Sequence, residues 1–128
     1  MIMERRAFLA GSTLLGLIGS TAVTAATGQP LYGLIGKMKA VPGQRDALVS
    51  AILEGSAAMP GCLSYIVARD ADDADAIWIT EVWDSEASHD ASLQLPAVQA
   101  SIARARDLVA SMETGVVTAP VGGIGLRT

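Results

Sequence analysis

One cysteine, one histidine and no asparagine occur in the 128 residues of this chain. A single cysteine, Cys62, excludes an internal disulfide and any cysteine-based metal cluster. A single histidine, His89, excludes a multi-histidine metal centre within one subunit. Aromatic residues make up only 4%, so the few present stand out. Basic residues are few too: 9 Lys and Arg stand against 13 Asp and Glu, for a formal net charge of -4. No run of Lys or Arg exists beyond the first residues, so nucleic acid is not an expected partner.

What remains is apolar, at 51%, and long enough for one domain around one core. Residues 1–26 are set apart from that domain. Glu4-Arg5-Arg6-Ala7-Phe8-Leu9 places an arginine pair ahead of an apolar run, Ala7 to Val23, rich in Leu, Gly, Ser and Thr. Val23-Thr24-Ala25 or Thr24-Ala25-Ala26 then supplies small residues for cleavage. The Arg-Arg-x-Phe-Leu pattern resembles a twin-arginine export signal. The expectation is a periplasmic or secreted domain, residues 27–128, with no membrane contact once the signal is removed. An ordinary secretory signal or an uncleaved anchor is the other reading.

The domain is organised around Met59 to His89. Two β-rich runs, Cys62–Arg69 and Ala76–Asp84, flank an acidic turn from Asp70 to Asp75, which predicts a hairpin. The second run alternates. Ile77, Ile79, Glu81 and Trp83 share one face, and Ala76, Trp78, Thr80 and Val82 the other. Both faces carry large apolar groups, so both call for a cover. A carboxylate among them, Glu81, needs a partner or a purpose.

Around this hairpin, Leu31–Lys39 reads as a first strand, whose glycines mark a bulge or a close approach. Val41-Pro42-Gly43-Gln44 breaks it and opens a helix with Leu48, Ala51, Ile52 and Gly55 at helical spacing. Met59-Pro60-Gly61 ends that helix. Asp84-Ser85-Glu86-Ala87 starts a short helix that carries His89. Leu95-Pro96 interrupts it, and Pro96 suits the first turn of another. There Val98, Ile102, Ala105, Leu108 or Val109, and Met112 form an apolar stripe. Glu113–Ala119 reads as the last strand and residues 120–128 as a glycine-rich tail. The order predicts an α+β, ferredoxin-like split βαβ sandwich: a four-stranded antiparallel sheet with helices on one face. The other, apolar face then predicts a homodimer.

The chain resembles the antibiotic biosynthesis monooxygenase domain family of the dimeric α/β-barrel superfamily, in its quinol monooxygenase type. The resemblance spans about residues 31–119 and rests on quoted motifs. They are Pro42-Gly43, Pro60-Gly61-Cys62-Leu63-Ser64-Tyr65, Thr80-Glu81-Val82-Trp83-Asp84-Ser85 with His89 after it, and Leu95-Pro96-Ala97-Val98. It implies an oxygenase that uses no cofactor, neither metal nor flavin, and oxidises a quinol-like or phenolic aromatic with dioxygen in an apolar pocket. One fold hosts many functions, so a non-catalytic barrel that binds a small ligand or serves in stress protection is the alternative. A haem-degrading relative would use an Asn and a further His. This chain has no Asn, Leu93 stands about where that His would be, and Val98-Gln99 replaces a second family His.

Several candidate residues have two readings. His89 is the catalytic proton acceptor or a structural member of its helix. Trp83 walls the pocket. Glu81 orients His89 or pairs with a basic side chain across the sheet. Tyr65 and Tyr32 hydrogen-bond a quinol oxygen or merely border the sheet. Trp78 is core or dimer contact, Cys62 a small buried hydrophobe, and the Asp70–Asp75 turn solvated.

Overall fold

The computed structural model describes residues 30–126; the expected export signal lies outside them. Strand β1 (Tyr32–Ala40) leads to helix α1 (Arg45–Gly55), then the hairpin β2 (Cys62–Arg69) and β3 (Ala76–Trp83). Helices α2 (Glu86–Ser92) and α3 (Pro96–Arg106) follow, and β4 (Val109–Thr118) closes the chain's sheet. The strands run β2-β3-β1-β4 with every pairing antiparallel, which is the ferredoxin-like order.

Local chemistry accounts for the elements. In α1 the spacing of Leu48, Ala51, Ile52 and Gly55 sets four buried positions on one stripe. Leu48 is 0% exposed and packs with Ala40, Ile77 and Ile79 of the sheet. Fully burying such a side chain stabilises the fold by about 1.5–3 kcal/mol. Gly55 lets α3 approach: a Cβ there would stand 2.3 Å from the Ser101 Cβ. Ser101 Oγ donates to the Ala51 carbonyl at 2.7 Å, tying the two helices across a buried contact. Gly33 of β1 likewise admits Thr118 and Pro120.

Beyond α1, Gly61 turns the chain into β2 with φ +85°, a conformation that favours glycine. Ser85 caps α2 by accepting the Ser88 amide at 3.1 Å, and Pro96 sits in the first turn of α3.

The sheet overrides the sequence pattern in one place. Periodicity extended the α3 stripe through Val109 and Met112 and began the last strand at Glu113. Instead α3 stops at Arg106, and Val109 pairs with Ala40 and Met112 with Met38. The backbone groups of β1 need ladder partners on this side, and β4 supplies them through two register shifts.

The acidic turn is braced rather than merely solvated. Asp70 accepts the amides of Asp72 and Asp73 at 2.8 and 2.9 Å, and the Trp78 indole N–H at 2.7 Å. Those donations, the indole's first, hold the Asp70 carboxyl well below the usual carboxylate range. Arg45 reaches in and donates to the Asp73 carbonyl at 2.8 Å. Trp78 is therefore half-buried on the sheet's outer face, with Lys37 Nζ 5.5 Å from its ring. Ile66 and Val116, 58% and 48% exposed, lie on that same face, which no helix among the described residues covers.

Candidate functional site

Between the sheet and its helices lies a cleft of about 540 Å³. The sheet supplies Met38, Ile79, Glu81, Trp83 and Tyr65. The α1 and α3 layer supplies Ile52, Val98, Ser101, Ile102 and Ala105 opposite them. The α3 stripe thus faces a space rather than a packed core, and Ile102 stays 42% exposed.

The polar end is built by β3 and α2. Trp83 is 1% exposed, and its Nε1 donates to Glu81 Oε1 at 2.9 Å. The two residues are neighbours on one strand face, so the indole N–H finds its acceptor one pleat away. Glu81 therefore holds Trp83. Among the described residues it neither orients His89 nor forms an ion pair, contrary to both sequence readings. Glu81 also pairs in register with Tyr65 on β2. Burial, and then the nearby Glu81 charge, pushes the Tyr65 phenol above its ordinary range. Tyr65 remains a neutral hydroxyl that can donate to a ligand oxygen, and is unfit as a base.

His89 is placed by the capped start of α2. Its ring lies 5.4 Å from that of Trp83, edge-on, and 5.3 Å from that of Tyr32. The side chain is 18% exposed, with Nδ1 3.2 Å from Asp90 Oδ1. An acceptor on Nδ1 favours the tautomer whose bare Nε2 can take a proton. Sequence reasoning did not single out Asp90, since an acid next to a histidine carries no spacing signal of its own.

Of the five predicted site residues, His89, Trp83, Glu81 and Tyr65 line one cleft. Tyr32 does not. It backs the His89 ring, and burial followed by the charges of Glu86, Asp90 and Glu81 raises its phenol. Cys62 is off the cleft as well, and burial pushes its thiol up, away from nucleophilic use. Leu93 of the α2–α3 connection lines the cleft. At the opposite end stand Arg106, Val109 and Met112, none of them singled out as site residues in the sequence. Among the described residues no three His, Cys, Asp or Glu side chains are grouped to hold a metal ion.

A family model described as antibiotic biosynthesis monooxygenase matches residues 31–104. A solved Chloroflexus aurantiacus structure, provisionally named as such an enzyme, is 61% identical, with a TM-score of 0.74 over 76% of this chain and 99% of that one. A Nitrosomonas europaea structure with the same provisional name is 17% identical, with a TM-score of 0.67 over 74% and 95% of the two chains. A Pseudomonas aeruginosa structure is 19% identical, with a TM-score of 0.66 over 76% and 100%. These last two likenesses concern the fold. No curated protein matches the chain.

Proposed function

The chain belongs to the antibiotic biosynthesis monooxygenase family, and from that premise we propose that it oxidises a quinol-like or phenolic aromatic with dioxygen, without metal or flavin. The observation that carries this reading is the placement of its one imidazole at the polar end of an apolar cleft, against Trp83 and beside the Glu81–Tyr65 pair.

In this reading an aromatic ring slides between the sheet and the α3 stripe and stacks near Trp83. Tyr65 donates to a substrate oxygen and fixes the ring's direction. His89 Nε2 takes the phenolic proton, and Asp90 steadies the imidazolium that forms. The phenolate, electron-rich, reduces dioxygen in place. One oxygen atom ends in the quinone and the other leaves as water, so one phenol and one dioxygen give one quinone and one water. The protein contributes orientation, exclusion of bulk water and one proton acceptor.

A second subunit belongs to the proposal. Ile66 and Val116 give the outer sheet face an apolar surface, which a twofold copy of the same sheet would cover. Sedimentation at micromolar concentration checks it; a monomer there removes the dimer. The periplasmic or secreted location, read from residues 1–26, stays part of the proposal.

Oxygen uptake with a panel of hydroquinones and naphthols tests the chemistry. Turnover above the uncatalysed rate, falling about 100-fold or more in His89→Ala with the fold intact, is the expected result. No turnover with any of them leaves the second reading, a binding protein. Ile102 and Met112, 42% and 67% exposed at the cleft's rim, favour that reading by leaving it open on one side.

A further inference from the structure

The two ends of the cleft differ in charge. Glu81 and the His89–Asp90 pair occupy one end, and Arg106 is the one Lys or Arg among its lining residues. Arg106 closes α3 and is exposed. Arg104, one half-turn earlier, is held by the Glu54 carboxylate and does not line the cleft. Among the described residues no carboxylate pairs with Arg106.

Register gives the separation. Glu81 pairs with Leu34 of β1, and Met112, which also lines the cleft, pairs with Met38. Four residues of strand span roughly 13 Å. Val109, three residues past Arg106, pairs with Ala40, farther still from the imidazole end. Arg106 therefore enters the cleft from the Val109 end, away from the imidazole. It can hold the far end of a molecule whose other end His89 meets.

We infer that Arg106 is a specificity residue for an elongated aromatic that carries a phenol at one end and a carboxylate at the other. The guanidinium fork matches a carboxylate in two parallel hydrogen bonds. The Glu81 charge repels an anion from the imidazole end, so the same two groups set which way round the ligand enters. This rests on the cleft being the ligand site; it adds the ligand's second functional group.

Equilibrium binding of 6-hydroxy-2-naphthoate and of its methyl ester, followed by quenching of tryptophan fluorescence, tests the inference. The two probes share their rings and phenol and differ only in the charge at the far end. The wild-type protein should bind the acid about fivefold more tightly, the scale of a solvent-exposed ion pair. Arg106→Gln should abolish that preference by weakening the acid alone, and Arg106→Lys should restore part of it. Arg104→Gln, which removes the same charge from the same helix, should leave it in place. Equal binding of acid and ester by the wild type overturns the inference while the cleft keeps its ligand. So does a preference that Arg104→Gln erases as fully as Arg106→Gln. If neither probe binds at all, the cleft reading itself falls, and the role of Arg106 with it.

Discussion

Helices α1 and α3 carry the same kind of apolar stripe and lie side by side, yet they do different work. Leu48 of the α1 stripe is sealed against the sheet at 0% exposure, while Ile52 and Gly55 also border the cleft. The α3 stripe lines the cleft and reaches the core only at Ala105, and its one buried residue is Ser101, which holds α1. Between them they bound a packed end around Leu48 and a cleft that opens on the side of α3. Periodicity announces an apolar face. What that face meets depends on the height of the neighbouring elements.

Four measurements sharpen or break this contrast. Leu48→Ala, at the packed end, should cost about 3 kcal/mol and lower the melting temperature by many degrees. A loss under 1 kcal/mol would mean that the packed end is not packed. Glu81→Ala strands the buried Trp83 indole N–H and should cost about 1–2 kcal/mol, with a shift in tryptophan emission. Unchanged emission would show that Glu81 does not position the ring.

Acid is the third lever, and it acts on the braced turn. Asp70 titrates lower in the fold than in the unfolded chain, so its contribution is complete above about pH 4 and is lost as pH falls below that value. Thermal melts at descending pH should show this loss, and Asp70→Asn should flatten it. A variant that keeps the full wild-type acid dependence would put the brace elsewhere. The smallest stability effect belongs to Ile102→Ala, on the open stripe: within about 0.5 kcal/mol of wild type, with weaker binding of aromatic ligands. A cost close to that of Leu48→Ala would show that the two stripes are alike after all.

Much of the fold was legible because each signal was local. Pro-Gly pairs broke elements, Ser85 capped α2, and the alternation from Ala76 to Trp83 marked β3. The four buried positions of α1 were the four that spacing named. Two of the misreadings depended on a partner distant in sequence, and the third on a side chain one pleat away. Val109 and Met112 fit a helical stripe until the β1 ladder claimed them. Glu81 looked like half of an ion pair until the Trp83 indole took it. Tyr32, read as a donor to a quinol oxygen or a border of the sheet, stands off the cleft and backs the His89 ring.

The chain's own order of residues determined its elements, its sheet and its family, because caps, turns and periodicity act over a few neighbouring residues. Only the folded arrangement decided which apolar stripe is core and which is cleft, and which cation stands at the cleft's far end. Those answers come from the gap between layers, bordered where Gly55 and Ser101 draw α1 and α3 together above the sheet.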